Sequence, residues 1–238
     1  MPTAQPHPGV PRSLLHRRGF LGGALALSGS VALAGCATYD RPLSLTEAVR
    51  RLLVLSSERA FVRMTAPGGF WDEQVAQLGL SEMLGTRGDV LSRILTSSLF
   101  KSRLEGAVAD LAVDASYRAA PLVAETVRTI GIGNALALIR GGPTAATSFL
   151  RAEMGGRLLS ALVPEVDQAF RIADNPLMGE LLGGLTGVDV GGAARSLAGG
   201  IEAVIWDEIA REEAAIRADP AAAGDPLLRG VLTADAAF

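Results

Sequence analysis

The sequence predicts an all-α fold, an irregular bundle of about six to eight helices behind a cleaved signal peptide. Alanine and leucine, both strong helix formers, are abundant. Aromatic residues make up only 5% of the chain, and the alternating apolar pattern of β-strands is largely absent. Apolar residues instead recur every three or four positions, so residues 44–238 are expected to form a single helical domain with an aliphatic core.

The first helix of this domain is expected to begin at Ser44. Ser44-Leu45-Thr46-Glu47 has the pattern of a capping box, in which Ser44 accepts a hydrogen bond from the first turn and Glu47 reaches back. The helix should stop before the turn Pro67-Gly68-Gly69-Phe70-Trp71, whose two glycines are free to take positive φ. One apolar face is predicted, formed by Leu45, Val49, Leu52, Leu53, Ala60 and Phe61.

Prolines and glycines divide the rest of the domain. Two further helices are predicted at 89–98 and from Lys101 to an interruption at Pro121. A short helix at 132–139 ends before Gly141-Gly142, and a long one begins at Pro143 and continues past a bend or break at Pro164. The last predicted helices are at 193–218 and in a short tail at 227–232. The longest helix carries a buried stripe, Leu150, Met154, Leu158, Leu162, Val166 and Phe170. The Gly-rich stretch 174–192 lacks the preceding strand and following Gly-Lys-Ser/Thr of a phosphate loop, so it is interpreted as a flexible connection.

Residues 1–35 have the organisation of a bacterial export signal. A basic region precedes an uncharged run from Gly19 to Thr38 that is rich in Gly, Ala and Ser. This run is too weakly apolar to remain as a membrane-spanning helix, which takes about 20 strongly apolar residues. A basic start, a modest apolar stretch and a small-residue end together predict a signal peptide that is removed.

The basic region also indicates the export route. Arg17, Arg18, Phe20 and Leu21 match the twin-arginine signal, which is read by the translocase for folded proteins. His16 departs from the Ser or Thr that this pattern prefers. The weakly apolar run that follows suits the twin-arginine route, and the ordinary secretory route is the alternative.

The signal ends in a lipid-attachment motif. Leu33-Ala34-Gly35-Cys36 resembles the bacterial lipobox, in which the cysteine thiol accepts a diacylglycerol and cleavage makes Cys36 the new N-terminus. Residues 36–43 then form a lipidated tether, and two or more acyl chains anchor it at about 0.8 kcal/mol per buried methylene. The expected location is the cell envelope, facing the periplasm. The outer membrane is favoured over the inner because Ala37, and not Asp, follows the cysteine.

Composition after cleavage excludes several function classes. The signal carries three arginines, no acidic residue and both histidines, so the mature chain has 19 basic and 25 acidic residues and a net charge of −6. Nucleic acid requires clustered Lys and Arg and is not an expected partner. Without histidine or a free thiol, Ser-His-Asp and Cys-His catalysis and zinc sites with His or Cys ligands are excluded. We therefore expect no enzyme activity, no cofactor and no metal.

One charged cluster near the C-terminus is a candidate site. Its members all lie in one predicted helix and the turn after it: Asp207, Glu208, Arg211, Glu212, Glu213, Arg217 and Asp219. Spacing of four residues pairs Asp207 with Arg211 and Glu213 with Arg217. An acid–base or carboxylate–metal site on Glu208 and Glu212 is one interpretation. A solvent-exposed face with ion pairs, ended by a turn at Pro220, is the interpretation we favour.

A second candidate site is the turn that contains two glycines and two aromatic residues. Phe70 and Trp71 follow Gly68 and Gly69 directly, so they could form the lip of a ligand site. Aromatic residues beside such a turn more often fold back onto the core, which is the interpretation we favour.

Several segments of the chain share a pattern with one bacterial family. They are the Pro67-Gly68-Gly69-Phe70 turn, Gly141-Gly142 with Ala145-Ala146-Thr147-Ser148-Phe149-Leu150-Arg151, Pro164 with Val166, and the string from Ile209 to Ala222 that contains Glu212, Glu213, Arg217, Asp219 and Pro220. Together they resemble the family catalogued as domain of unknown function 4197. The resemblance covers most of residues 44–232, although 72–100 match poorly. It implies an exported, all-helical domain with no assigned activity, in which these positions have a structural or functional role.

Two function classes remain open from the sequence. The first is an envelope lipoprotein that acts as a non-enzymatic interaction module, with the membrane and another envelope protein as its partners. The second is a binder of small apolar or lipid molecules in a cavity between helices. The absence of catalytic side chains favours the first, and a hydrolase that relies on carboxylates alone is a distant third.

Overall fold

The structure, a computed structural model, describes residues 44–80, 98–171 and 190–235. This part of the chain contains helices and no strand: α1 (Leu45–Thr65), α2 (Phe70–Gln77), α3 (Ser98–Thr129), α4 (Ala135–Ile139), α5 (Ala145–Met154), α6 (Arg157–Arg171), α7 (Val190–Ala218) and α8 (Pro226–Asp235). The all-α prediction is therefore confirmed. None of these described helices has the length and apolar character to cross a bilayer.

Several predictions concern residues outside those ranges. They are the twin-arginine positions Arg17, Arg18, Phe20 and Leu21, the lipobox Leu33-Ala34-Gly35 with Cys36, the tether 36–43, nearly all of the helix at 89–98, and most of the Gly-rich connection 174–192.

Helix α1 begins where the sequence predicts. The Ser44 side chain accepts a hydrogen bond from the amide of Glu47 at 3.2 Å. The second contact predicted for the capping box, in which the Glu47 side chain reaches back, is wrong. The Glu47 carboxylate instead pairs with Arg51, one turn further on, at 2.9 Å. The apolar face is buried, with Val49 and Leu52 fully inaccessible to solvent.

The core is built around α1, which packs against α3 on one side and α7 on the other, while α6 packs against α7 and α3. Its largest fully buried side chains are aliphatic apart from two tryptophans: Trp71, Trp206, Leu52, Leu53, Met64, Leu150, Leu158, Leu162, Ile201, Ile205, Ile209 and Ile216. Buried indole N–H groups usually find an acceptor. Trp71 Nε1 donates to Ser116 Oγ at 3.2 Å, and Trp206 Nε1 donates to Glu202 at 3.3 Å.

Helices α1 and α3 are antiparallel, and Arg50 joins the start of one to the end of the other. Its guanidinium donates to the carbonyl oxygens of Val127, of Arg128 at 2.9 Å and of Ile130 at 3.3 Å. The last carbonyls of a helix have no partner within it, so these bonds satisfy the end of α3.

The predicted interruption at Pro121 is wrong, and Pro164 does not break its helix. Helix α3 continues through Pro121 and α6 through Pro164. Both prolines lie on exposed faces, so the carbonyl groups that lose their helical partner face solvent, while buried neighbours such as Val123 and Leu162 hold the helices in place.

The predicted longest helix is divided instead at Gly155-Gly156, because Gly155 takes φ +54 between α5 and α6. A positive φ is strained for residues with a side chain and ends the helix there. The predicted stripe is buried across this break from Leu150 to Val166. The Phe170 side chain lies outside the described part.

Helix α8 is held on α1 by Asp225. The Asp225 carboxylate accepts hydrogen bonds from the amides of Leu227 at 2.8 Å and Leu228 at 3.0 Å, and pairs with Arg51 at 3.1 Å. Burial raises the pKa of Asp225, but the Leu228 amide, Arg51 and the Leu227 amide together lower it below its ordinary value.

Candidate functional site

The most deeply buried charge in the described part of the chain is the Glu213 carboxylate, which is fully inaccessible to solvent on α7. It accepts hydrogen bonds from the backbone amides of Ala146 at 3.0 Å and Thr147 at 2.7 Å. These amides belong to the first turn of α5, where the side chain of Thr144 makes no capping bond. Glu213 therefore caps α5 from another helix, with its negative charge at the positive end of the helix dipole.

Arg217, one turn further along α7, donates hydrogen bonds to the carbonyl groups at the C-terminal end of α4. Its Nε donates to Glu213 Oε1 at 2.8 Å, and its two terminal nitrogens donate to the carbonyls of Ile139 and Leu138, each at 2.8 Å. Its side chain is only 10% exposed. The Glu213–Arg217 pair thus fixes the end of α4 and the start of α5 to the same turn of α7.

The chain passes between these two helix ends at Gly141. A Cβ atom at this position would lie 2.5 Å from the Ala145 side chain and 3.0 Å from the Ala137 carbonyl oxygen. Only glycine fits so close an approach. This explains the glycine at position 141, in the connection between α4 and α5.

A second group of charges surrounds Glu208, whose side chain is 6% exposed. It accepts hydrogen bonds from Arg211 Nε at 2.8 Å and from a terminal nitrogen of the same guanidinium at 2.6 Å, and it lies 3.3 Å from Arg63 Nε. Arg211 also pairs with Glu212. The hydrogen bond to Glu208 raises the pKa of Arg211 above its ordinary value despite partial burial.

Arg63 connects this group to the glycine-rich turn. Its guanidinium lies 5.7 Å from the ring centroid of Phe70, within the range of a cation–π contact. Gly68 and Gly69 take φ +140 and +81, and Gly69 precedes the first residue of α2. Trp71 is 2% exposed and Phe70 packs edge-to-face against it, with centroids 5.4 Å apart. The aromatic pair folds back onto the core and forms no lip.

The favoured interpretation of the C-terminal cluster, a solvent-exposed face, is wrong for Glu208 and Glu213. Glu213 is buried at the start of α5, whereas Glu208 is buried beside the guanidinium groups of Arg211 and Arg63. The expected Glu213–Arg217 pair is confirmed, whereas Arg211 pairs with Glu208 and Glu212 and not with Asp207.

The sequence contains a signal for the burial of Glu213. This residue lies four after Ile209 and three before Ile216, both fully buried, so it occupies a core position of the helical pattern. Asp219 lies in the turn after α7, where its carboxylate accepts a hydrogen bond from the amide of Ala222 at 3.1 Å. Pro220 follows in that turn, as predicted.

The oxygens of the two buried carboxylates in the described part of the chain are engaged by protein groups. Among the described residues, no three acidic side chains are placed to hold a cation together. The carboxylate oxygens of Glu213 and Glu208 already accept hydrogen bonds from backbone amides or guanidinium groups. These contacts give both carboxylates a structural role: Glu213 binds the start of α5 and Arg217, and Glu208 binds Arg211.

The candidate binding surface lies elsewhere, in an open groove of about 490 Å³ between α1 and α3. Its walls are mostly apolar and are formed by Val54, Ser57, Glu58, Phe61, Val62, Ala120, Pro121, Ala124, Val127 and Arg128. Val62 is 69% exposed, an unusual position for a large aliphatic side chain. The sequence analysis missed this groove, although Val54, Glu58 and Val62 recur every four residues outside the predicted core face.

Comparison with known proteins identifies a family. The family model described as "Protein of unknown function (DUF4197)" matches residues 41–233. No curated protein and no solved structure matches the chain. The matched range includes the Gly68-Gly69 turn, the Glu213–Arg217 pair and both walls of the groove, and on this match the chain belongs to the DUF4197 family.

Proposed function

We propose that this protein is an envelope lipoprotein, anchored through Cys36, whose helical domain is a non-enzymatic interaction module. Its groove between α1 and α3 binds the apolar face of a helix from a protein partner. The observation that carries this proposal is the groove itself, since it combines apolar walls with an exposed Val62 at its edge. Amphipathic helices commonly bind in such grooves.

The shape of the groove favours a helix as its occupant. Its α1 wall extends from Val54 to Val62, about 12 Å at the rise of an α-helix, which corresponds to two turns. A partner helix that lies along the groove packs against both α1 and α3. The three helices then form a small bundle with ordinary ridge-into-groove packing.

Binding of a small apolar or lipid molecule is the second candidate. The volume of about 490 Å³ lies within the range of ligand pockets, and the walls suit an acyl chain. Ligand pockets, however, usually bury most of the ligand surface, whereas this groove is partly open to solvent. The open form is better matched by a partner that covers the groove with a surface of its own.

The charged residues support a module without catalysis. After cleavage the chain has no histidine and no free thiol. The two buried carboxylates in the described part of the chain are engaged by backbone amides and arginines. The proposed location is the periplasmic side of the envelope, with the outer membrane favoured by Ala37 after the lipidated cysteine.

Photo-crosslinking in the bacterial envelope tests the proposal. The full-length chain is expressed with p-benzoylphenylalanine in place of Val62 or, as a control, Leu99, which is 66% exposed on α3 outside the groove. A discrete protein adduct from position 62 and none from position 99 supports the module. A lipid adduct alone at position 62 supports the second candidate, and equal labelling at both positions or none contradicts both.

A further inference from the structure

We infer that the partner helix bound in the groove carries basic residues, lysine or arginine, directly beyond its apolar stripe. This inference rests on the proposed function and gives the chemistry of the partner that it requires. The binding surface is then longer than the groove. It continues along α3 past Tyr117 to an acidic segment, formed by Asp114 and Asp110.

The α3 wall of the groove belongs to a longer exposed stripe. Residues at successive spacings of three and four lie on one face of a helix. Six such residues of α3 are exposed: Asp110, Asp114, Tyr117, Pro121, Ala124 and Arg128. The last three line the groove. The first three therefore extend the same surface towards the start of α3, and the whole stripe is about 27 Å long at the rise of an α-helix.

Tyr117 lies where this stripe leaves the groove. Its neighbour Ser116 accepts a hydrogen bond at 3.2 Å from Trp71, which follows the end of α1. Tyr117 is therefore at the level of the end of α1, where Val62 forms the edge of the groove. The Tyr117 side chain is 60% exposed. A tyrosine next to an apolar surface is typical of the residues that contribute most to binding in protein interfaces.

The carboxylates on this surface have no counter-charge of their own. Glu58 in the groove and both residues of the acidic segment, Asp110 and Asp114, are exposed and form no ion pair with any described residue. Helix α2 packs against α3 and adds Asp72 and Glu73, both exposed, and it contains no basic residue. The surface beyond Val62 is therefore negatively charged.

The basic residues nearby do not neutralise this surface. Arg63, which follows Val62, pairs with a carboxylate of α7 at 3.3 Å, and Arg118 pairs with one of α6 at 2.7 Å. Arg103 lies two turns before Asp110 and marks the end of the acidic segment. Arg128 lies at the opposite end of the stripe and pairs with Glu125. The stripe therefore has one acidic end, and a partner must match its charge there.

A helix that lies along the whole stripe meets apolar side chains over the groove and carboxylates over the next two turns of α3. Carboxylates that an interface covers lose hydration, and this loss is unfavourable unless an opposite charge replaces the water. Lysine or arginine on the partner supplies that charge. An acidic helix would instead place like charges together, which is unfavourable in an interface.

Photo-crosslinking at a second position tests how far the surface extends. The full-length lipoprotein in isolated cell envelopes carries p-benzoylphenylalanine in place of Tyr117 or, as the control, Leu122, which is 40% exposed on another face of α3. We expect position 117 to give the same protein adduct as position 62, and position 122 to give none. Mass spectrometry of the adduct should find lysine or arginine next to the apolar stripe of the crosslinked segment.

Charge reversal tests the acidic segment itself. With the crosslinker at position 62, Asp110→Lys combined with Asp114→Lys should lower the yield of the adduct at least about five-fold, because lysines there repel a basic partner. The matched control is Glu153→Lys combined with Asp207→Lys, which changes the net charge equally at exposed positions outside the stripe and should leave the yield unchanged. Added salt should lower the wild-type yield, since it screens exposed charges.

The outcomes separate this inference from the proposed function. If position 62 gives a protein adduct whose yield responds neither to the reversal nor to salt, the basic partner is overturned and the interaction module stands. An adduct at position 62 with none at position 117, or a crosslinked segment without basic residues, has the same meaning. No protein adduct at either position contradicts both proposals. Thermal melting shows whether the reversal variant is folded, and the salt dependence of the wild type needs no substitution.

Discussion

The carboxylate of Glu213 lies 2.7 Å from the backbone amide of Thr147, although 66 residues separate them in the chain. Glu213 on α7 therefore caps the N-terminus of α5, a role that usually belongs to the residue directly before the helix. One turn further on, Arg217 closes the end of α4 in the same way. Glu213 and Arg217 therefore have a structural role, which is to hold two consecutive helix ends against α7.

The first prediction is that Glu213→Gln lowers the free energy of unfolding by about 3 kcal/mol, in the range for removal of one partner from a buried ion pair. The amide group of glutamine places an N–H donor against a backbone amide or against Arg217, and Arg217 loses its counter-charge. Denaturant unfolding of the purified full-length protein measures the change.

Glu212→Gln is the matched control for this prediction, because Glu212 is less deeply buried than Glu213 and, in the described part of the chain, forms an ion pair only with the partly exposed Arg211. Its expected cost is about 0.2–1 kcal/mol. Equal stability of the Glu213 and Glu212 variants would contradict the assignment. Calorimetry with Ca²⁺, Mg²⁺ and Mn²⁺ adds a second check, since micromolar binding that disappears in Glu213→Gln would make this carboxylate part of a metal site.

Much of the fold follows from local pattern, whereas the contacts made by charged groups do not. The apolar faces of α1 and α7 follow from helical periodicity, and Ser44 indicates where α1 begins. The interruption at Pro121 was wrongly predicted, and Pro164 does not break α6, because a proline on an exposed face leaves only solvent-facing carbonyls unpaired. Exposure depends on which neighbours pack around a helix, and that information is not local.

The same limit applied to the candidate sites. The pairing of Glu213 with Arg217 follows from their spacing, but the capping of α5 joins segments far apart in the chain. The groove was missed for a related reason. Val62 is exposed because nothing in the described part of the chain covers it, and a sequence pattern does not show which helix neighbours α1.

The second prediction concerns the positive φ of Gly69. Gly69→Ala should destabilise the protein by about 1–2 kcal/mol, because a Cβ atom is unfavourable at φ +81 and lies 3.1 Å from the Asp72 carboxylate. Gly106→Ala is the control, since this helical position has open space around it and alanine favours helix by about 0.5–1 kcal/mol. In thermal unfolding we expect Gly69→Ala to lower the melting temperature and Gly106→Ala to raise it. A Gly69→Ala variant that is more stable than wild type would contradict the positive φ of Gly69.

The third prediction is a pH dependence that belongs to Asp225. Because the folded state lowers its pKa from 3.8, its contribution to stability is present above that value and is lost as the pH falls through the lower, folded pKa. Asp225→Asn keeps an oxygen acceptor for the α8 amides but removes the pairing with Arg51. Denaturant unfolding should show the variant less stable than wild type at about pH 7, with a difference that decreases as the pH falls below 3.8. A difference independent of pH would contradict a role for the charge.

The fourth prediction concerns export. Replacing both Arg17 and Arg18 with lysine should block export, because the twin-arginine translocase reads the geometry of the guanidinium groups and not charge alone. Cell fractionation measures the precursor that remains in the cytoplasm. Unchanged export of the double variant would show that the ordinary secretory route carries the chain.

The proposals for function depend most directly on the anchor at Cys36, which intact-mass spectrometry of the protein from membranes can test. The account predicts a mature chain that begins at Cys36 and carries the mass of a diacylglycerol and any further acyl chain, together with loss of fatty-acid labelling in Cys36→Ser. Globomycin, which blocks lipoprotein signal cleavage, should accumulate the precursor. A mature chain without lipid, or a Cys36→Ser variant that is labelled as strongly as wild type, would contradict the membrane anchor and with it the anchored module.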